Sequence, residues 1–470
     1  MRLVLGALFG LAAIVAILAW FVRLERTGRS HVPAAIALGF LTFESVLLPS
    51  HGEVPNGLFR FPAAGQDVRM GAVVVVLAIL ARGWARGLPR RISSTGLLWA
   101  AYLTWYGTGF VIGTVRGHPS EIVMFEFRSV VFVAAGYLLM AGTPIGAFIA
   151  RRPVGVWVAV LTAAVAIVSF TTLFDLYTDA NLGFQRFPSL GAYGPSGRSV
   201  VAAISVVLIV TEACRPRPRT WVLACSGLLL ISPIVGTQRA SMVHAALSLV
   251  VLVLVAGGNT WRRRASVTPT TSGLVLFGFV GLLVLAVVLP PAFTDEPSII
   301  VSSLDQAFTG EGQTASVGAR ERLWSETRNL IEEQPVLGWG LGKRAPLTRP
   351  FPLEPLEVSS HNIVLDVWIR AGIVGVILFL VAIFASLRDA VHTWRRHPDP
   401  VIAAFAIGCA IALVGLFGKG MVESIFENFR LALLFGLLIG GIAAARASSE
   451  VEEKRVEVRE QLDRAHARAG

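Results

Sequence analysis

Two polar residues, His361 and Asn362, stand directly before a long apolar run, and nine residues separate them from Gly372. Two further residues separate Gly372 from Gly375. An unperturbed imidazole has a pKa of roughly 6.5, so its neutral form can accept a proton near pH 7. Because the surrounding sequence is strongly apolar, His361 is one of few groups there that could do so. The pair therefore marks a candidate site for proton transfer.

The composition indicates that a membrane protein must position this site. Of 470 residues, 54% are hydrophobic and 15% are charged, against roughly 25% charged in a typical soluble domain. Apolar runs of about 18 residues recur along the chain, and each could cross roughly 30 Å of hydrocarbon as a helix. The sequence therefore predicts an all-α integral membrane protein, a polytopic helical bundle with about 12–13 transmembrane helices.

The predicted spans cover residues 3–22, 32–49, 70–82, 95–114, 129–149, 154–174, 199–213, 220–236, 241–258, 272–292, 362–385, 400–417 and 427–445. More spans follow the first run, and no small-residue cleavage pattern accompanies it. We therefore interpret this run as a retained helix and not as a signal peptide.

Arginine clusters occupy alternate loops between these spans. The clusters are Arg23/Arg26/Arg29, Arg82/Arg86/Arg90/Arg91, Arg151/Arg152, Arg215/Arg217/Arg219, Arg262/Arg263/Arg264 and Arg388/Arg395/Arg396. Because cytoplasmic loops carry an excess of arginine, we assign these loops to the cytoplasm and residues 293–361 to the outside. The expected organisation is a transmembrane bundle over 1–292, an extracytoplasmic loop over 293–361, further transmembrane helices over 362–446 and a charged cytoplasmic tail over 447–470.

The net charge of +11 is explained by these arginines beside anionic lipid, and no nucleic-acid-binding motif interrupts the spans. The partner that the composition indicates is the lipid bilayer. Three cysteines, Cys214, Cys225 and Cys409, are spaced neither for zinc nor for a disulfide framework. We interpret them as small apolar packing residues.

The external loop is the one segment outside the membrane that is large enough to take part in chemistry. Residues 318–333 carry apolar side chains at helical spacing, and Pro335 should stop that helix. Three alternating glycines follow, Gly338, Gly340 and Gly342. This run lacks the Lys-Ser/Thr of a nucleotide-binding loop, so a plain helix terminator and an anion-binding turn both remain open.

Taken together, three motifs resemble the O-antigen ligase and polymerase superfamily. They are Gly-Ala-Arg-Glu-Arg-Leu-Trp from Gly318, Pro-Val-Leu-Gly-Trp-Gly-Leu-Gly from Pro335, and His-Asn-x9-Gly-x-x-Gly from His361. A fourth element, Gly-Thr-Gln-Arg-Ala-Ser from Gly236, matches through Arg239 alone, because Gln238 and Ala240 replace the usual Ser and Gly of the family.

The resemblance implies a GT-C-like membrane glycosyltransferase in a bacterial cytoplasmic (inner) membrane, with its active site on the extracytoplasmic side. Such an enzyme transfers a glycan from a polyprenyl-diphosphate carrier to an acceptor hydroxyl. It implies no cofactor and no metal. Attack opposite the leaving diphosphate should invert the anomeric centre.

Within that reaction His361 fits the general base that takes the acceptor proton, a role worth roughly 10²–10⁴-fold. Asn362 would orient the imidazole or cap the helix, and Asp366 could hold the imidazole tautomer. Arginine fits the leaving diphosphate, because a guanidinium stays charged and binds phosphate through two parallel hydrogen bonds. The candidates are Arg239 and Arg320, then Arg322 and Arg128.

The sequence leaves several alternatives open. Ligase and polymerase use the same donor and differ in the acceptor, a glycan, lipid or protein. A lipid-linked oligosaccharide transporter or flippase would need a polar pathway near the midplane of the membrane. A non-catalytic scaffold for cell-envelope assembly would tolerate replacement of His361.

Overall fold

The structure, a computed structural model, describes residues 2–47, 60–63, 66–87, 93–150, 195–235, 239–265, 315–347 and 356–469. The helices of this part of the chain are α1 (Arg2–Arg26), α2 (His31–Leu47), α3 (Met70–Arg86), α4 (Ser94–Val115), α5 (Ser120–Ala141), α6 (Ile145–Ile149), α7 (Pro195–Ala213), α8 (Thr220–Val235), α9 (Arg239–Ala256), α10 (Asn259–Arg264), α11 (Ala315–Glu333), α12 (Ile363–Arg396), α13 (Pro400–Gly420) and α14 (Phe429–Ala469). Two short antiparallel hairpins pair β1 (Arg60–Ala63) with β2 (Gln66–Arg69) and β3 (Ala345–Leu347) with β4 (Leu356–Val358).

Four helical segments in the described ranges are long and apolar enough to cross a membrane, namely α5, α12, α13 and the Phe429–Val451 part of α14. Shorter apolar stretches lie in α2, α8 and α9. The prediction of an all-α integral membrane bundle is therefore confirmed.

Helices α5 and α14 pack closely against each other through glycines. A Cβ added to Gly136 would lie 2.4 Å from the carbonyl oxygen of Leu433, and one added to Gly436 would lie 2.2 Å from that of Val133. Side chains cannot fit at such distances, so the two backbones are in direct contact. Close contact through small residues is the usual way for helices to associate in a bilayer, where lipid is as apolar as the helix surface.

The arginine clusters that were predicted to share one membrane face are joined to one another in three pairs. The contacts are Arg82 Nε to Glu25 Oε1 (3.1 Å), Arg215 Nη2 to the Ile149 carbonyl (2.9 Å) and Arg264 Nη2 to the Arg395 carbonyl (3.1 Å). Each contact links loops that the alternation of arginines places on the same side. The two loops of each pair therefore lie at the same end of the helices they join.

Some span boundaries differ from the prediction. The predicted span 129–149 is a helix from Ser120 to Ala141, because Pro119 precedes its start and Pro144 cannot continue it. Helix α12 continues to Arg396, and α14 runs from the last span into the charged tail without interruption. The predicted spans 154–174 and 272–292 lie outside the described residues.

Candidate functional site

Asn362 caps the start of helix α12. Its Oδ1 accepts hydrogen bonds from the backbone N–H of Val364 (3.0 Å) and of Leu365 (3.2 Å). These contacts satisfy two of the N–H groups that every helix start leaves without a partner. The Asn362 Nδ2 also donates to the carbonyl of Met421 (3.3 Å), so the cap ties α12 to the loop that follows α13.

His361 occupies an unusual backbone conformation directly before this cap. Its φ is 54°, and in the described part of the chain it is the one non-glycine residue with a positive φ. Left-handed backbone at a non-glycine residue carries a strain of about 1–3 kcal/mol and persists only where its surroundings enforce it, most often at functional sites. The His361 side chain is half-buried, between the buried residues Ser360 and Asn362.

A network around Ser360 enforces that conformation. The Ser360 N–H and Oγ–H both donate to Asp366 Oδ1, at 3.0 and 2.8 Å, and the Asn362 N–H donates to Ser360 Oγ (3.2 Å). The Ser424 hydroxyl donates to the second oxygen of Asp366 (2.8 Å). The backbone on both sides of His361 is therefore fixed by buried hydrogen bonds.

The contacts of Asp366 differ from the prediction that it holds the imidazole tautomer. Within the described structure its carboxylate binds Ser360 and Ser424, and it shares no hydrogen bond with the His361 ring. Helical spacing does not bring the two side chains together, because His361 lies before the helix and its backbone is left-handed. Asp366 thus acts on His361 through the backbone of Ser360.

Helix α11 of the external loop lies against the same residues. The Trp324 Nε1–H donates to the Ser360 carbonyl (2.8 Å), so the helix is anchored one residue from His361. Arg320 lies one helical turn before Trp324 and is half-buried on the same face. Arg322 is exposed and lies about 200° around the helix from Trp324. The structure therefore brings Arg320, but not Arg322, to the side of α11 that faces His361.

One stripe of α12 binds the loop between α13 and α14. Its polar residues Asn362, Asp366 and Arg370 are four residues apart, so they share one face of the helix. Their contacts are with Met421, Ser424 and Glu427 in turn, at 3.3, 2.8 and 3.4 Å. These contacts hold the loop beside the start of α12 and give this face of the helix a polar surface within an apolar bundle.

The glycine-rich segment that follows α11 inserts into a break in α12. Gly372 has φ 65° and ψ −174°, and a Cβ there would lie 1.9 Å from the Val336 carbonyl oxygen. The Trp339 N–H donates to the Ile369 carbonyl (2.7 Å), and the Ile373 N–H donates to the Pro335 carbonyl (2.9 Å). These backbone bonds replace helical ones that the break removes. The His-Asn-x9-Gly spacing is thus the distance from the helix cap to the break.

A buried ion network fixes the end of that segment. The Arg370 guanidinium, 1% exposed, binds Glu126 Oε1 (2.8 Å) and Glu427 Oε1 (3.4 Å). Arg344 binds the same two carboxylates at 3.4 and 3.3 Å, and the Gly342 N–H donates to Glu126 Oε2 (2.8 Å). Two cations thus share two acids, which neutralises charge that would otherwise be costly inside a membrane.

The remaining candidates lie on other elements. Arg239 is the first residue of α9, and two residues later Ser241 accepts a hydrogen bond from Lys419 Nζ (3.3 Å). Because Lys419 is two residues from Met421, the start of α9 lies near the capped end of α12. The Arg128 guanidinium stacks 4.5 Å from the Phe125 ring centre on α5, and its described contacts do not reach His361.

Sequence reasoning missed several residues of this site, namely Ser360, Ser424, Glu126 and Glu427. An available signal was Glu126, an acid three residues before the predicted span 129–149, since acids within membrane helices are usually paired and functional. In the part of the chain that the structure describes, no three His, Cys, Asp or Glu side chains form a metal-binding group.

Part of the chain matches a known protein family. Residues 224–380 match the family model described as O-Antigen ligase. This range contains α11, the glycine-rich segment, His361, Asn362 and the break at Gly372. The resemblance to the O-antigen ligase and polymerase superfamily is therefore confirmed, and it supports a membrane ligase or polymerase with lipid-linked glycan and acceptor partners in general. No curated protein matches the chain.

Proposed function

We propose that the protein is a membrane glycosyltransferase that moves a glycan from a polyprenyl-diphosphate carrier to an acceptor hydroxyl. The match of residues 224–380 to the O-Antigen ligase family model supports this proposal. The observation that carries the proposal is the strained backbone of His361, which a buried hydrogen-bond network holds inside the matched domain. Proteins store strain of this kind where a side chain must be presented to a reacting group.

The proposed reaction is a single displacement at the anomeric carbon. The acceptor hydroxyl gives its proton to the neutral His361 imidazole while its oxygen bonds to that carbon. The bond from the same carbon to the diphosphate oxygen breaks, and the diphosphate leaves with the electron pair. Because attack and departure occur on opposite faces, the anomeric configuration inverts. The acceptor is the next lipid-linked glycan in a polymerase and a terminal lipid or protein in a ligase.

The leaving diphosphate needs cationic groups near His361. Arg320 is supported by its place on the face of α11 that Trp324 docks against Ser360. Arg239 is supported by its position at the start of α9, two residues before the contact between Ser241 and Lys419. Arg128 remains a further candidate on α5. A guanidinium suits this role better than an ammonium group, because its fork matches two phosphate oxygens.

We expect Arg320→Gln to lower kcat/KM for the lipid-linked donor by about 10–100-fold, the effect of losing a charged hydrogen bond of roughly 1.5–3 kcal/mol. Arg320→Lys should recover only part of that loss, because it keeps the charge without the fork. The measurement is transfer by purified enzyme over a range of donor concentrations.

The matched control for Arg320 is Arg328→Gln. This arginine is exposed on the same helix, about 12 Å further along its axis. Its loss should change kcat/KM by less than about twofold, the range of an ordinary surface substitution. Equal losses of kcat/KM in the Arg320 and Arg328 variants would show that the activity depends on the total charge of α11 and not on a specific contact with the diphosphate. The same assay on Arg322→Gln decides whether the opposite face of α11 takes part.

We propose that transfer needs no divalent cation, because the arginines stabilise the leaving group. Purified enzyme treated with EDTA should therefore keep its full transfer rate. Activity that disappears with the chelator and returns with Mg²⁺ or Mn²⁺ would assign the leaving group to a metal site.

A further inference from the structure

The loop that holds the start of α12 carries an acidic residue, Glu423. Two residues before it, the Met421 carbonyl accepts a hydrogen bond from Asn362 Nδ2 (3.3 Å), and directly after it the Ser424 hydroxyl donates to the carboxylate in the first turn of α12 (2.8 Å). Asn362 is the residue that follows His361 in the chain. These two contacts therefore hold Glu423 in the segment of the loop that lies beside the proposed base.

A buried lysine fixes one oxygen of the Glu423 carboxylate. Lys419, near the end of α13, is 0% exposed, and its Nζ lies 2.7 Å from Glu423 Oε2. The same Nζ donates a hydrogen bond to Ser241 Oγ in the first turn of α9 (3.3 Å). A charge is costly inside a membrane protein unless an opposite charge lies against it, so each member of this pair stabilises the other. The carboxylate is thus fixed to α13 and, through the ammonium group, to α9.

The second oxygen of the carboxylate is available to a ligand. The Glu423 side chain is 25% exposed, and within the described ranges its Oε1 accepts no hydrogen bond from the protein. An ionised carboxylate only accepts hydrogen bonds, and both of its oxygens have lone pairs for them. Hydroxyl groups donate to such an oxygen, whereas a diphosphate is repelled by its charge. The loop therefore presents a fixed hydrogen-bond acceptor to an uncharged molecule that carries hydroxyl groups.

We propose that Glu423 binds the acceptor of the transfer reaction and that this acceptor is a sugar. The carboxylate accepts a hydrogen bond from a sugar hydroxyl next to the attacking one, which holds the attacking oxygen at the His361 imidazole. A sugar offers this second, neighbouring hydroxyl, whereas a serine or tyrosine side chain offers one hydroxyl alone. Lys419 is a positioning residue, because it contacts Glu423 and not the sugar. This inference rests on the proposed transfer reaction and adds the chemical class of its acceptor.

The first test measures which hydroxyls of the acceptor the wild-type protein recognises. Linkage analysis of the transferred product identifies the sugar that receives the glycan, and the methyl glycoside of that sugar then serves as acceptor for purified protein and lipid-linked donor. Removal of one neighbouring hydroxyl, in one of the monodeoxy glycosides, should lower kcat/KM by about 10–100-fold, the loss of one hydrogen bond to a charged group. Equal rates with every monodeoxy glycoside that keeps the attacking hydroxyl, or a product linked to a lipid or protein hydroxyl, would overturn the proposal. A wild-type protein that transfers no glycan to any acceptor would instead contradict the proposed function itself.

Substitutions then assign the lost contact to Glu423. Glu423→Ala should raise the KM of the methyl glycoside by about 10–100-fold, leave kcat within about twofold and abolish discrimination against the weak monodeoxy form. The double variant, Lys419→Met with Glu423→Ala, removes both charges, so it tests the same contact without leaving a buried ammonium group beside an empty position. The matched control is Glu332→Ala, an exposed acid on α11, with wild-type kinetics expected. An unchanged KM in folded protein, or a loss of kcat with KM unchanged, would exclude Glu423 as an acceptor-binding residue.

Discussion

His361→Asn is expected to abolish glycan transfer while leaving the fold intact. Asparagine accepts left-handed backbone better than most residues, so it should tolerate the φ of 54° at this position. It cannot accept a proton as an imidazole does. The loss of a positioned general base should lower kcat by about 10²–10⁴-fold. Transfer and thermal unfolding would be measured on the same purified sample.

Two further substitutions at this position distinguish the effect of backbone strain from the effect of losing the imidazole. His361→Gly should be equally inactive, since glycine adopts the same φ freely and has no side chain. His361→Ala should be inactive and less stable than His361→Gly, because left-handed backbone costs roughly 1–2 kcal/mol at an alanine and little at a glycine. Transfer within about twofold of wild type in His361→Asn, a change no larger than that of an ordinary surface substitution, would exclude His361 as the base.

Arg370→Met is expected to destabilise the protein by about 3–5 kcal/mol, because it leaves Glu126 without its closest cation inside the bundle. Among the cations described around it, the buried carboxylate would keep Arg344 alone, at the longer distance of 3.4 Å. The glycine-rich segment should loosen as well, since Glu126 also holds the Gly342 N–H. The free energy of unfolding in mixed micelles would report the change.

A double-mutant cycle tests whether this effect comes from the ion pair. Adding Glu126→Gln to Arg370→Met removes the unpaired charge and should restore at least half of the lost stability. Arg128→Met is the matched control, since this arginine on the helix of Glu126 stacks on Phe125, a contact worth about 0.5–1 kcal/mol. Additive losses in the double variant would show that Arg370 and Glu126 do not stabilise each other.

The membrane bundle could be predicted from the sequence because apolar runs of spanning length are a direct requirement of the bilayer. Helix α11 could be predicted for a similar reason, since apolar spacing defines its face and Pro335 bounds it. The boundaries of α5 could not be read from hydropathy alone. Its first turns carry Glu126 and Arg128 and are less apolar than the rest, although they belong to the same helix.

The site could be predicted in part. The motif drew attention to His361 and Asn362, whereas the burial of Arg370, which is 1% exposed, follows from the cost of placing a charge in lipid. The left-handed backbone of His361 could not be foreseen, nor could the contacts of Asp366 with Ser360 and Ser424 in place of the imidazole. The role of Gly372 could not be predicted from the sequence either. It depends on the approach of Val336, which is far away in the sequence.

The most direct test of the proposed function is the fate of the lipid-linked glycan in cells that lack the protein. A deletion strain would be complemented with wild type or with His361→Asn, at matched membrane abundance. Polyprenyl-diphosphate-linked glycan would then be quantified on each face of the membrane together with the transferred product. We expect the deletion and His361→Asn to accumulate the linked glycan on the extracytoplasmic face without product, and wild type to clear it. Accumulation on the cytoplasmic face would instead indicate a transporter, and normal product in His361→Asn would contradict the catalytic assignment.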